Sequence, residues 1–292
     1  MTEIIQQTTI LKLGLPKGRM SVGIIDLLRD AGISVSASER GYRPLISLPD
    51  ATAKTLKPQN IIEMLVHGRR DAGFAGADWV RELNADVVEI MDTTLDTVRL
   101  VAAVPSGLLV NGSLPSRRLV VTSEYEQIAR EWIQNKGLDA EFVRSYGATE
   151  VFPPDDADLI IDIVATGATL RANNLVIFET LMTSSTRFYA SVAARNDPVR
   201  RERIDAIKLL LESVLEARKR VMLEINASTE CLQAVVKLLP CMREATVSPL
   251  FGNCGYSVRA AVPKTTLPTL LPLLKEVGGT DIVVTSPGQI IP

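Results

Sequence analysis

The segment Asp158-Leu-Ile-Ile-Asp-Ile-Val-Ala-Thr-Gly-Ala-Thr-Leu-Arg-Ala-Asn173 joins an apolar run, two carboxylates and a loop of small residues. Ala165, Thr166, Gly167, Ala168 and Thr169 predict a turn from a strand into a helix. Small side chains let backbone N–H groups close around an anion, and a helix N-terminus adds partial positive charge. The hydroxyls of Thr166 and Thr169 supply two further donors. Asp158 and Asp162 fall on one face of a period-two strand, with Asp162 nearer the loop. A carboxylate inside an apolar strand is a costly placement, so ribose-type hydroxyls or a divalent cation explain the pair better than an ordinary Thr-capped turn. No Gly-Lys-Ser/Thr stands at Walker spacing, which excludes a P-loop.

Other chemistry-bearing groups cluster at predicted strand ends. Leu15-Pro-Lys-Gly-Arg19 ends the first predicted strand, where open α/β sheets bind ligands, and Lys17 and Arg19 there suit a polyphosphate. Asp71-Ala-Gly-Phe-Ala-Gly-Ala-Asp78 adds Gly76 and Asp78 after a further strand. Arg40 and Arg43 flank Gly41-Tyr42 in a segment too polar for a core. Taken singly, such charges read equally well as solvated loop residues. His67 is the only histidine, which excludes paired-histidine zinc sites and any Ser-His-Asp apparatus not built on it. Its position before Gly68 fits a helix C-terminus.

The elements that must carry these residues alternate. Strand Ile10–Leu15 leads to a helix from Ser21 that stops at Gly32. Pro58 opens a second helix, and short strands follow at 72–75, 87–91 and 98–104. A second unit has strand Leu119–Val121, helix Ser123–Lys136, a strand near 141–143, the apolar run Leu159–Val164 and a helix near Ala168. Strand Arg187–Val192 and a long helix from Asp197-Pro198 close the first part. Such alternation predicts an α/β fold with a largely parallel sheet. From residue 221 the order becomes β-α-β-β-α-β, a ferredoxin-like module. The chain has 292 residues, enough for about two domains or three small ones. A net charge of -2 and 4% aromatics argue against a nucleic-acid binder. The N-terminus has no signal-peptide pattern and no run reaches bilayer length, so no membrane role and a cytoplasmic location are expected. Cys231, Cys241 and Cys254 form no C-x-x-C pair and are expected to be buried thiols in a reducing compartment.

Together these segments resemble ATP phosphoribosyltransferase in its long form, the enzyme family that opens histidine biosynthesis. The resemblance runs through Leu15–Arg19, Asp71–Asp78, Val98–Pro105, Gly147–Glu150 and Asp158–Leu175. Its most specific stretch is Asp162–Asn173, which matches the family's 5-phosphoribosyl 1-pyrophosphate (PRPP) signature. It implies a two-lobed catalytic part similar to periplasmic binding proteins and a C-terminal ferredoxin-like (βαββαβ) regulatory domain. Lobe I would comprise 1–98 and 187–219, lobe II 99–186, and the regulatory domain 220–292. Ala165 to Thr169 would hold the 5-phosphate of PRPP, Asp158 or Asp162 the ribose hydroxyls, and Glu150 would face the same site. Lys17, Gly18, Arg19, Arg40, Arg43, Gly76, Asp78 and Arg99 would serve ATP or pyrophosphate. Magnesium would ride on the substrate pyrophosphate, helped by Asp158 or Asp162, and no catalytic general base is strictly required. The resemblance further implies a homo-oligomer, a hexamer built from dimers, with histidine as feedback inhibitor near Thr246, Ser248 and Leu250. Asn174 stands where the family usually has glycine, Ala165 where serine is common, and the ending Thr285–Pro292 is less charged than expected. A two-lobed solute binder or a non-catalytic regulatory subunit are the rival readings.

Overall fold

The computed structural model describes residues 9–36 and 41–292; Arg40, an expected ligand contact, lies outside them. The described residues form two compact units, one within 9–26 and 34–205, the other of 27–33 and 206–292.

The first unit begins with β1 (Leu11–Pro16), whose alternate residues Leu11, Leu13 and Leu15 are buried. Gly18 turns the chain at a positive φ of 79° into α1 (Arg19–Asp30). A short hairpin, β2 (Val35–Ser36) and β3 (Leu45–Ile46), precedes β4 (Ala51–Leu56). Helix α2 (Pro58–Val66) starts with proline in its first turn and ends at His67, as the sequence predicts. Then come β5 (Ala72–Gly76), α3 (Ala77–Glu82) and β6 (Val87–Pro105). The remaining elements are β7 (Leu119–Ser123), α4 (Glu126–Lys136), β8 (Ala140–Arg144), β9 (Leu159–Val164), α5 (Ala168–Ala172), β10 (Leu175–Ser191) and α6 (Val192–Asn196). Helix α7 (Pro198–Lys219) runs on past the boundary of this unit.

Eight strands form one sheet in the order β4-β1-β5-β10-β6-β9-β7-β8. Its centre departs from expectation. The two strands predicted at 87–91 and 98–104 are one strand of 19 residues. The polar link Asp92–Thr97 reads as a loop, yet it is a bend inside the ladder. Thr94 and Asp96 take positive φ there, and the Thr94 N–H donates to Asp92 Oδ1 at 2.7 Å. Likewise the strand predicted from Arg187 begins at Leu175 and is 17 residues long. Polar residues Thr183–Thr186 conceal it because they pair through repeated register shifts with β6 rather than alternating cleanly. Edge strand β4 was also not predicted.

In the second unit, β11 (Arg220–Ala227), α8 (Leu232–Leu238), β12 (Thr246–Pro249), β13 (Tyr256–Pro263), α9 (Leu267–Glu276) and β14 (Thr280–Thr285) follow in sequence. The antiparallel order β12-β13-β11-β14 is that of the ferredoxin-like module. Val221, Leu223 and Ile225 alternate inward and pack with Val235, Val258 and Leu274. The three cysteines are free, but only Cys231 and Cys241 are partly buried. Cys254 is exposed, contrary to expectation, because it closes a surface turn in which its Sγ contacts the Phe251 carbonyl.

Candidate active site

Strand directions decide what comes together. β5 is antiparallel to β10, β10 to β6, and β6 to β9, so the carboxyl ends of β5 and β9 point toward each other. Gly76, at the end of β5, pairs with Thr186, and Val164, at the end of β9, pairs with Arg99, which pairs with Thr183. Thr183 and Thr186 are separated by about 10 Å along β10 at ~3.3 Å per residue. The loops after β5 and β9 therefore face each other across the middle of the two long strands. This crossing is unusually polar. Ser185 Oγ donates to Asp92 Oδ1 at 2.7 Å, and Thr186 Oγ1 donates to Asp96 Oδ2 at 3.2 Å.

At the end of β9, Ala165, Thr166, Gly167, Ala168 and Thr169 line a cavity of about 140 Å³ with Glu150 and Asp162. Gly167 is held at φ 73°, a left-handed conformation that a residue with a Cβ adopts only with strain. That turn lets Thr166 Oγ1 accept a long hydrogen bond from the Ala168 N–H at 3.4 Å. Arg171 Nη1 donates to the Thr166 carbonyl at 3.2 Å and braces the loop from behind. Four of the five loop residues are exposed, with Gly167 half-buried, so their polar groups face an accessible space. A cavity of this size, walled by backbone and hydroxyl donors, suits one phosphate group.

Asp162 enters this cavity from β9. Its Oδ1 accepts from the Ile163 N–H at 2.7 Å. Burial, then the negative charges of Glu150 and Glu124, push its carboxyl up to about 6. Glu124 was not singled out in the sequence. It follows β7, at the same carboxyl edge of the sheet, which is the signal that could have found it.

Asp158 does not join them. It precedes β9, at the opposite end from the loop, about 23 Å away along an extended chain of seven residues at ~3.3 Å each. Its carboxylate is clamped by Arg117 at 2.5 and 3.1 Å and by the Val120 N–H at 2.8 Å. The Arg117 guanidinium holds its carboxyl below the usual range. Asp158 thus joins β7 to β9 and is not positioned for ribose or a metal.

Asp78 also turns inward. Its Oδ2 accepts from the Tyr125 hydroxyl at 2.6 Å and its Oδ1 from Ser184 Oγ at 2.5 Å, while its own N–H donates to Ser184 Oγ at 3.1 Å. Only 2% of the residue is exposed, so its oxygens serve the scaffold rather than a substrate. Gly76 is required beside it, since a Cβ there would lie 2.0 Å from Asp78 Oδ1. Glu82 makes a parallel link by accepting from the N–H groups of Gln127 and Ile128 at the start of α4. Tyr125, Ser184 and Glu82 escaped sequence reasoning because their partners lie at least 45 positions away.

Lys17 and Arg19 are exposed at the end of β1. Arg19 Nη1 donates to the Asp96 carbonyl at 3.1 Å, and the Lys17 ammonium lies 5.6 Å from the Tyr42 ring centre. Arg99 is exposed in register with Val164, beside the β9 loop. Arg43 instead lines a separate cavity with Lys12, Lys54 and Arg70. Thr246 and Ser248 are exposed on edge strand β12, with Leu250 just beyond it. Among the described residues no cluster of three or more metal-ligating side chains is found, and no helix is long and apolar enough to cross a membrane.

An α/β sheet with opposed strand ends, a loop that lines a cavity of phosphate size and a neighbouring carboxylate define a class: an α/β protein with an anion-sized site at the carboxyl ends of its strands. Residues 57–213 match the ATP phosphoribosyltransferase family, and residues 217–286 match the C-terminal domain of HisG. An ATP phosphoribosyltransferase of Chlorobium phaeovibrioides is 34% identical over 94% of this chain and 95% of its own. That of Pelotomaculum thermopropionicum is 32% identical over 97% and 99%. A solved chain of the ATP phosphoribosyl transferase (HisG:HisZ) complex from Thermotoga maritima shares the fold. It has a TM-score of 0.63 and 24% identity, covering 71% of this chain and 99% of that one. The chain belongs to the ATP phosphoribosyltransferase family, in the architecture that carries the additional C-terminal domain. Its reaction is the transfer that begins histidine biosynthesis, in a family that requires a divalent metal.

Proposed function

We propose that the Ala165–Thr169 loop binds the 5-phosphate of PRPP and that Asp162, with Glu150, accepts hydrogen bonds from the ribose hydroxyls. The observation that carries this is the phosphate-sized cavity in which the left-handed Gly167 turn and a half-buried carboxylate meet. Lys17, Gly18 and Arg19, and Arg99 beside Val164, would receive the pyrophosphate and ATP. Lobe I (1–98, 187–219) and lobe II (99–186) would meet at the crossing of β6 and β10. Residues 220–292 would form the regulatory domain.

In the reaction a ring nitrogen of the adenine attacks the anomeric carbon while its bond to pyrophosphate breaks, with inversion. The nitrogen already carries a lone pair, so no side chain needs to remove a proton first. The residues' work is to position two anionic substrates and stabilise charge on the leaving group. The hard oxygen donors Asp162 and Glu150 fit a divalent cation, taken to be Mg²⁺. When bound with the substrate, this cation neutralises the pyrophosphate. We extend the same reading to feedback inhibition by histidine through Thr246, Ser248 and Leu250, to a homo-oligomer and to a cytoplasmic location.

The test is a coupled assay with ATP, PRPP and Mg²⁺, with pyrophosphatase to draw the reaction forward and ultraviolet absorbance to follow phosphoribosyl-ATP. Product that histidine suppresses is expected. Product without suppression would retain the transferase and discard the effector assignment. PRPP binding without product would discard the catalytic roles.

A further inference from the structure

The cavity that takes Arg43 lies on a different part of the first unit. Its polar wall is Lys12, Arg43, Lys54 and Arg70, and its apolar wall includes Pro44 and Leu45. The sheet explains the convergence. Lys54 pairs with Gly14, and Lys12 lies two residues before that glycine, so both share the face on which Ile61 of α2 packs against Gly14. Arg70 follows α2 and is fixed by its N–H donating to the Met64 carbonyl at 3.0 Å. Lys12 and Arg70 mark the amino ends of β1 and β5, the opposite edge from the loops of the candidate active site.

Among the described residues these cations have no ion-paired carboxylate. Asp71 is the nearest in sequence, but its oxygens accept from the Lys12 backbone N–H at 2.7 Å and pair with Arg200 at 3.2 Å. Among the described residues no ion pair joins an acid to the side chain of Lys12, Arg43, Lys54 or Arg70. The positive charge of Arg70, then that of Arg43, pulls the Lys54 ammonium below its ordinary range. Burial does the same to the Arg70 guanidinium, although Asp71 opposes it. Like charges gathered around a concave wall raise the local concentration of a multivalent anion. Two guanidinium forks favour phosphate oxygens, and four positive charges exceed what a single carboxylate would balance. The volume, about 410 Å³, is nearly three times that of the β9-loop cavity at about 140 Å³ and lies in the range of small-ligand sites.

We propose that this cavity is a second anion site which takes a nucleoside di- or triphosphate, its phosphates on the four cations and its base or sugar against Pro44 and Leu45. The site is independent of the transferase reading, since none of Lys12, Lys54 and Arg70 is assigned to that reaction.

The probe is ADP, measured by equilibrium dialysis on the full chain at low salt, with parent and the double variant Lys54→Gln/Arg70→Gln. The parent is expected to bind one equivalent more per chain than the variant, or to bind that equivalent at least tenfold more tightly. Turnover at saturating substrates should stay within twofold. Equal ADP binding by both proteins would overturn the proposal. Thermal melting of Lys54→Gln alone gives a second readout. Without ADP it should melt at or above the parent temperature, because a mutually repelling charge is gone. Lower melting would show that Lys54 has a stabilising acidic partner, which would also overturn the proposal. Loss of the extra ADP equivalent in a protein found to have no transferase activity would still support this site while refuting that activity.

Discussion

The two ends of β9 carry the same residue type four positions apart and use it in opposite ways. At the amino end, Asp158 has an arginine fork and a backbone donor, and Arg117 keeps it ionised. At the carboxyl end, Asp162 has one backbone donor, two acidic neighbours and, among the described residues, no ion pair. The first arrangement satisfies a carboxylate within the protein. The second leaves it short of donors beside a phosphate-sized cavity, which is the condition of a group that awaits ligand hydroxyls or a cation.

The most severe way to break the carboxyl end is Gly167→Val. A Cβ at φ 73° would be strained and would meet Arg171 Nη1 at 3.2 Å. The loop should lose its closed form, and kcat/KM for PRPP should fall by about a hundredfold or more, given how steeply positioning controls rate. Steady-state kinetics with PRPP varied checks this.

A titration sharpens the contrast. Because the folded-state carboxyl of Asp162 is raised, the folded protein holds this proton more firmly than the unfolded chain. The resulting stabilisation is fully present below about 4, near the unfolded value, and is lost as pH rises through about 6. Asp162→Asn should therefore remove part of the decline in melting temperature between pH 4 and 7 and melt above the parent at pH 7. Melting curves across that range would refute the desolvated carboxylate if parent and variant kept parallel profiles.

A smaller effect is expected at the scaffold between the loops. Tyr125→Phe deprives Asp78 Oδ2 of its donor at a buried position, with an expected cost of about 1–3 kcal/mol. Denaturant unfolding should show this loss of stability. Ser184 would still hold the other oxygen.

Much of this was legible in advance where local signals agree. The β9 strand and the start of its loop fell at Leu159–Val164 as expected, because an apolar run stops at small residues. The ferredoxin-like unit was legible because β11 and β13 alternate and its two helices stop just before Pro240 and Gly278. The crossing of β6 and β10 was hidden, since its bulges and buried Ser-Thr run resemble loops and its pairing spans some ninety positions. The roles of Asp158 and Asp78 were hidden for a related reason. Residue type and spacing report that a carboxylate is present, whereas Arg117, Tyr125 and Ser184 decide whether its oxygens remain available.

The central claim is that only one end of β9 serves the phosphoribosyl group, and paired kinetics of Asp162→Asn and Asp158→Asn test it most directly. With PRPP varied at saturating ATP, Asp162→Asn should lose about tenfold or more in kcat/KM, as expected when a ligand hydroxyl loses a charged acceptor. Asp158→Asn should keep kcat/KM near the parent value and lose only modest stability, about 1 kcal/mol for a partly exposed pair. Equal losses in both variants, or a loss confined to Asp158→Asn, would contradict the account.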